Sequence, residues 1–301
     1  MKVAFLGVGR MGRLIAGHIL DAGHELTIWN RTPGKADDLV SRGAHEASSV
    51  EEAVAGADAV VLMLFGAESV HEVLGRVAAA ARRRTLVIDA TTTGPDAARQ
   101  LSDLATERGL RYIDAPVAGS LGPAREGSLT ILVGGTDEDV AAARPLLELW
   151  GDPQRIRHIG GPGAGNALKA VVNMCLGIAV AGMGEALRLG NDLHLERSVV
   201  LDALEAGPFG WTIKQKRPML ESGTFTPASF SLDLMSKDLK AALDNASSEL
   251  PLLSAAQDLA IRAIEDGRGD QDYAAMAGYE AGFRSSELSW LELSRWGDSS
   301  C

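Results

Sequence analysis

Gly7, Gly9 and Gly12 stand as GxGxxG directly after a β-branched run and at the start of an amphipathic stretch. Glycine at these places lets the backbone turn tightly, approach a pyrophosphate and pack helix on strand. The helix N-terminus then supplies amide donors and the positive end of its dipole. The spacing alone is a weak signal; a strand before it, a helix after it and a second strand ending near residue 30 give it context. With Met11 between them, these glycines are expected to line a bound dinucleotide. The residue closing the second strand then discriminates between dinucleotides, because a carboxylate there accepts from a ribose 2′-hydroxyl and repels a 2′-phosphate. This chain has Asn30, followed by Arg31 and Thr32, with Lys35 a further cation nearby. A guanidinium and a hydroxyl suit a phosphate, so the expected cofactor is NADP(H).

These residues need elements to hold them. Short β-branched runs at 3–6, 25–29, 59–64, 85–90, 111–114, 130–133 and 155–159 alternate with amphipathic stretches at 11–22, 69–81, 95–108 and 137–150. That is the pattern of βαβ units in a doubly wound, mostly parallel sheet. After Gly160 the strand signal stops, and Gly160-Gly161-Pro162-Gly163 is rich enough in turn formers to mark a boundary. Beyond it the chain reads as helical: a long stretch at 166–189, apolar on most faces, then 196–206, 234–246, 251–266 and 273–286. The expected fold is α/β, with an N-terminal Rossmann domain over 1–162 and an all-helical C-terminal domain over 163–301 for substrate binding and dimerisation. The terminal WGDSSC is expected to fray. The apolar faces of the long helix exceed what one small domain covers, so a homodimer or higher homo-oligomer is expected.

Composition removes several classes of function. The chain of 301 residues carries 40 acidic against 29 basic residues, a formal net charge of −11. That argues against a nucleic-acid partner, which needs clustered Lys and Arg to displace counterions. Cys175 and Cys301 give neither a disulfide framework nor a metal site, and the scattered histidines show no HxH or HxxxH spacing. A reducing, cytoplasmic compartment fits. Glycines and Arg10 interrupt the N-terminus too early for a signal-peptide core. The most apolar later run, 170–184, falls short of the roughly 20 residues that span a bilayer, so no membrane partner is expected.

A specific resemblance runs through the chain. GVGRMG at 7–12, WNRT at 29–32, DAPVAGSLGPAREGSLTILVGG at 114–135, GPGAGNALKAVVN at 161–173, SKDLKAAL at 236–243 and GRGDQDYAAM at 267–276 resemble, in order and spacing, the β-hydroxyacid dehydrogenases. This family, of the 6-phosphogluconate dehydrogenase-like superfamily, includes 3-hydroxyisobutyrate dehydrogenases, tartronate semialdehyde reductases and glyoxylate or succinic semialdehyde reductases. The elements Gly119-Ser120, Pro123-Ala124 and Gly127-Ser128-Leu129 look closest to the last group.

The resemblance implies hydride exchange between nicotinamide and a small 3-hydroxy acid or semialdehyde, with Lys169 as proton donor and acceptor and Asn173 beside it. Residues at i and i+4 share a helix face, so ammonium and amide point together, in the expected geometry into an interdomain cleft. Partial burial would bring the lysine pKa toward neutrality, as the task requires. Asn173 is expected to orient Lys169 or the substrate hydroxyl. The resemblance further assigns Met63, Leu64, Thr92 and Lys237 to the cofactor, and Val117, Ala118, Gly119 and Ser120, again with Lys237, to the substrate acid. Phe209, Trp211 and Phe230 are candidates for an apolar pocket wall, although aromatics are more often core. No metal is expected. The chain departs from the family pattern at Ala118 (usually serine), Val172 (usually asparagine) and Phe65-Gly66 (often proline or a polar residue). Two rivals are an imine reductase of the same architecture, which does not usually carry the lysine, and a non-catalytic NADP-binding interaction module. Lys169 weighs against the first, and Lys169, Asn173 and Lys237 together weigh against the second.

Overall fold

Strand formation follows the β-branched runs closely. In a computed structural model that describes residues 1–207 and 209–281, the chain runs β1 (Lys2–Leu6), α1 (Arg10–Asp21), β2 (Glu25–Trp29), α2 (Asp37–Ser41), β3 (His45–Glu46), α3 (Val50–Val54), β4 (Ala59–Leu62), α4 (Ala67–Ala80), β5 (Leu86–Asp89), α5 (Pro95–Glu107) and β6 (Arg111–Asp114). It continues through β7 (Val117–Ala118), α6 (Leu121–Arg125), β8 (Leu129–Gly134), α7 (Asp137–Leu147), β9 (Gly151–Gly160) and the long α8 (Ala164–Asp192). Then come α9 (Arg197–Glu205), α10 (Gly210–Ser222), α11 (Leu232–Asp244), α12 (Pro251–Ala263), a π turn (Ile264–Arg268) and α13 (Ala275–Glu280). The expected helix at 273–286 is described as far as α13; its later part, Cys301 and the WGDSSC tail lie outside the described residues.

The sheet order is β3-β2-β1-β4-β5-β6-β8-β7, with β9 on β8. The strands from β3 to β6 are parallel, and β8 joins β6 antiparallel. This is the doubly wound sheet that the alternation predicts, extended by a mixed edge. Strands β1, β4 and β5 are buried on both faces because helices cover both sides, so they read as continuous Val, Ile and Leu runs. Phe5, Ile15, Ile28 and Ile88 lie in the core on one face, and Leu6, Val60, Leu74 and Val87 in the core on the other. The sequence reading missed β3 and β7, each two residues long, and the short helices α2, α3 and α6, which are too brief to show a period.

The chain forms two compact units. One comprises Met1–Met174 with Lys237–Leu250, the other Cys175–Ser236 with the segment from Pro251. Helix α8 begins in the first and continues into the second. It is longer than the apolar run at 170–184: its 29 residues, at mean hydropathy 1.7 over the most apolar stretch, make it the one described helix long and apolar enough to cross a membrane. A core helix of a soluble protein has the same length and composition.

In the second unit, α10 forms despite Gly210, Thr212 and Pro218, all poor helix formers. Burial of Ile213, Lys216 and Leu220 overrides their propensity. Lys216 Nζ donates to Asp272 Oδ2 and Ser229 Oγ, each at 2.8 Å, and lies 4.5 Å from the centre of the Tyr273 ring. Asp272 is fully buried and also accepts from Ser229 N–H at 2.9 Å and Ala274 N–H at 3.1 Å. Removing one partner of a buried pair typically costs about 3–5 kcal/mol, because the other charge is left uncompensated. Lys216→Met should therefore lower the unfolding free energy of this unit by about that amount, read as a reduced urea midpoint at unchanged slope.

Candidate active site

The turn after β1 is built against neighbouring backbone. Gly7 has φ +107° and donates its N–H to Trp29 O at 2.8 Å. A Cβ there would enter the Met63 carbonyl, and a Cβ on Gly12 would enter the Gly7 carbonyl. Around Gly9, which precedes the first turn of α1, a Cβ would meet nothing within 4 Å. A crowded turn with an open face at a helix N-terminus fits a pyrophosphate held by amide donors. Leu64, beyond β4, donates its N–H to Thr91 Oγ1 at 3.0 Å, so the turns after β4 and β5 are joined.

Beyond β2, Asn30 Nδ2 donates to Thr32 O at 2.8 Å, and Gly34 N–H donates to Glu46 Oε1 at 3.0 Å. These bonds shape the loop while Arg31, Thr32 and Lys35 stay exposed. No carboxylate closes the strand.

At the C-terminal ends of β5 and β6 two carboxylates are wholly buried. Asp89 accepts from Tyr112 Oη at 2.7 Å and Thr91 N–H at 2.9 Å. Burial pushes its carboxyl up to about 6, against those hydrogen bonds and with repulsion from Asp114 adding. Asp114 accepts from Gly163 N–H and Asn166 N–H, each at 2.7 Å, and so caps the start of α8. Burial likewise raises its carboxyl, opposed chiefly by the same amides.

Helix α8 places Lys169 and Asn173 on one face. Asn173 is buried, and its Nδ2 donates to Asp238 Oδ2 of α11 at 2.6 Å. Its amide nitrogen thus goes to a carboxylate and not to Lys169, a partner the sequence reading did not foresee. Lys237 Nζ donates to Thr92 O at 2.6 Å and lies 2.9 Å from Asp238 Oδ1, in an ion pair whose alignment leaves that oxygen without a hydrogen-bond donor. Lys169 is partly buried and has no hydrogen-bond or ion-pair partner among the described residues. Burial lowers its pKa; Asp238 pulls the other way and Lys237 adds to the lowering.

Two lysines in different settings therefore flank one buried carboxylate: Lys237 held by a carbonyl and a carboxylate, Lys169 by neither among the described residues. Asp238 is the member that sequence reasoning did not single out. Its signal was a carboxylate directly after Lys237, in a stretch already matched.

Residues 2–160 match the family profile described as the NAD binding domain of 6-phosphogluconate dehydrogenase. Residues 163–279 match that described as NAD-binding of NADP-dependent 3-hydroxyisobutyrate dehydrogenase. The chain belongs to the β-hydroxyacid dehydrogenase family. It is an NAD(P)-dependent dehydrogenase or reductase.

Among its relatives, a 3-hydroxyisobutyrate dehydrogenase of Pseudomonas aeruginosa is 38% identical over 81% of this chain and 85% of that protein. An NAD-dependent L-serine dehydrogenase of the same organism is 34% identical over 91% and 96%. The solved structure of Mycobacterium tuberculosis 3-hydroxyisobutyrate dehydrogenase with L-serine superposes with a TM-score of 0.82 at 32% identity, covering 92% of this chain and 98% of that one.

Among the departures from this family's pattern, Phe65-Gly66 has a physical reason. A Cβ on Gly66 would lie 3.3 Å from Lys237 Cδ, so glycine there leaves room for the lysine stem, and Phe65 beside it is exposed. Val117 and Ala118 form β7, paired with Ile131 and Thr130 of β8; Gly119 has φ +136°, and Ser120 precedes α6. No hydrogen bond among the described residues joins these four to Lys169, Asn173, Lys237 or Asp238. Phe209, Trp211 and Phe230 belong to the second unit, where Trp211 is exposed and Phe230 meets Tyr273 edge-on at 5.8 Å. Among the described residues no cluster of metal-ligating side chains occurs.

The electrostatic arrangement has a direct readout. Asp238 stabilises the Lys169 ammonium, so Asp238→Asn should move the Lys169 titration to lower pH. Lys237→Met removes a like charge and should move it up. NMR of ε-labelled lysine would record both, and equal titration in all three proteins would refute the coupling.

Proposed function

We propose that this chain is an NADP-dependent oxidoreductase that exchanges a hydride with a small 3-hydroxy acid or semialdehyde, with Lys169 as general acid and base. The observation that carries the reading is Lys169 itself. It is a lysine of lowered pKa without a hydrogen-bonded partner among the described residues, on the same helix face as Asn173 and flanked by Lys237 and Asp238, on a helix capped by the sheet that carries the dinucleotide turn.

A bound nicotinamide supplies or accepts the hydride. In reduction, Lys169 gives its proton to the oxygen of the carbonyl being reduced; in oxidation, neutral Lys169 removes the hydroxyl proton. Lys237, fixed by Thr92 O and Asp238, offers its charge to the substrate acid, with the loop of Val117, Ala118, Gly119 and Ser120 contributing amides and a hydroxyl. Asn173 keeps Asp238 in place. The relatives named for 3-hydroxyisobutyrate and L-serine suggest a 3-hydroxypropanoate skeleton with a small group at C2.

Gly7, Gly9, Met11 and Gly12 would hold the pyrophosphate, Met63, Leu64 and Thr92 the nicotinamide side, and Asn30, Arg31 and Thr32 the 2′-phosphate. In this reading residues 1–162 serve the cofactor, and residues 163–301 form a homodimer through apolar surface such as Val171, Val172 and Leu189 of α8, which is exposed in the single chain. The setting is cytoplasmic.

Losing a charge-assisted phosphate contact costs on the order of 1.5–3 kcal/mol. Arg31→Ala should therefore weaken NADPH by about tenfold or more and leave NADH nearly unchanged in a fluorescence titration. Equal wild-type affinity for the two would defeat the NADP assignment.

General acid catalysis is worth about a hundredfold to ten-thousandfold, so Lys169→Ala should lower turnover by at least the lower bound while NADPH affinity stays put. In the wild type, the alkaline loss of reductive turnover should fall below the ordinary lysine value of about 10.4, because reduction needs the ammonium and burial lowers its pKa. A Lys169→Ala enzyme that kept more than about a tenth of turnover with hydride transfer rate-limiting would favour chemistry that needs no lysine acid, such as imine reduction.

A further inference from the structure

The turn at residues 91–94 is tied down along its whole length. Thr91 N–H donates to Asp89 Oδ1 and Thr91 Oγ1 accepts from Leu64 N–H; Thr92 O accepts from Lys237 Nζ. The next two amides, Thr93 N–H and Gly94 N–H, both donate to Asn166 Oδ1, at 2.9 and 3.1 Å. Asn166 is fully buried, in the first turn of α8. Its Nδ2 donates to Asp114 Oδ2 at 3.3 Å, and its own N–H donates to the same oxygen at 2.7 Å.

A carboxamide is the group this position needs. Its oxygen serves two amides and its nitrogen a carboxylate; an apolar side chain would leave both buried amides without their acceptor. There is little slack to absorb a change. A Cβ on Gly165 would run into the Leu132 carbonyl and meet Asp114 Oδ2 at 2.9 Å, so the first turn of α8 lies directly on β8.

We propose that Asn166 is a positioning residue that sets the relation between the two lysines. It ties the helix carrying Lys169, three residues onward on the same face, to the turn whose Thr92 carbonyl holds Lys237. The inference rests on the reading that Lys169 carries the proton. It adds that the Lys169–Lys237 geometry is fixed through residues 91–94, by a side chain that hydrogen-bonds to neither lysine among the described residues.

Asn166→Ala, Lys237→Met and the double variant should be compared with the wild type under saturating NADPH and the best carbonyl substrate. A misplacement of about 1 Å can cost about a hundredfold. Asn166→Ala should therefore lower kcat by about ten- to a hundredfold, raise the isotope effect with deuterated NADPH and leave the NADPH Kd within about threefold. In the Lys237→Met background the extra loss should shrink to less than about threefold, because the turn no longer holds its lysine.

An undiminished kcat, or the same fold-loss in both backgrounds, would overturn the proposal, since a general loosening of the fold is multiplicative. If Asn166→Ala does not fold, Asn166→Asp fills the same volume and keeps the acceptor for both amides while losing the donor to Asp114. Its kcat should be reduced, and a wild-type kcat in that variant would also overturn the proposal. Lys169→Ala separates the two levels. An active Lys169→Ala enzyme removes the underlying reading, whereas an inactive one beside a normal Asn166→Ala removes this inference alone.

Discussion

The site depends on one buried carboxylate at the end of a strand. Asp114 closes β6 and accepts the first free amides of α8, which fixes where that helix starts and how it is rotated. A helix leaves its first four N–H groups without intrahelical partners, so a buried start needs an acceptor. A carboxylate there also meets the positive end of the helix dipole. Burial raises the Asp114 carboxyl, and the amides it accepts from only partly offset that desolvation. The α8 residues Asn166, Lys169 and Asn173 inherit their positions from that bond.

A second constraint is the separation of charge around Lys169. Two ammonium groups and one buried carboxylate share the neighbourhood, and the carboxylate is engaged by Lys237 and Asn173. Lys169 is left with the electrostatic influence of Asp238 but not its hydrogen bonds. That is the condition under which a lysine holds its proton weakly enough to give it away and take it back. Asn173 serves the same carboxylate, giving Oδ2 the donor that a buried oxygen would be costly without.

Away from the start of α8 the chain also uses buried polarity for fixation. In the second unit, Lys216 and Asp272 lock α10 to the segment before α13, with Ser229 and backbone amides completing the shell. Such a pair contributes specificity of arrangement more than net stability. Arg217 plays the comparable part at the surface, bridging Asp202, Glu205 and Glu221.

The alternation of β-branched runs with amphipathic stretches determined the parallel strands β1, β2, β4, β5 and β6, because a period of two or of 3.6 is a local property and survives in any single sequence. The glycines of the first turn were equally legible, since Gly7 and Gly12 stand where any Cβ would enter backbone. Helix α10 was not legible, because Gly210 and Pro218 speak against it locally and only packing of Ile213 and Leu220 outweighs them. Nor were the two-residue strands β3 and β7, which exist by virtue of their neighbours.

In the site, sequence order named Lys169, Asn173 and Lys237 but left Asp238 and Asn166 without roles. Asn173 and Asp238 are 65 residues apart, and Thr93 and Asn166 are 73 apart. Nothing local to either residue says which distant group it will meet. The sequence alone determined which side chains could do the chemistry. Which of them are tied by hydrogen bonds and which is left without one among the described residues was decided by tertiary structure, because hydrogen-bond partnership belongs to pairs of distant groups and to the burial that makes an unpaired one costly.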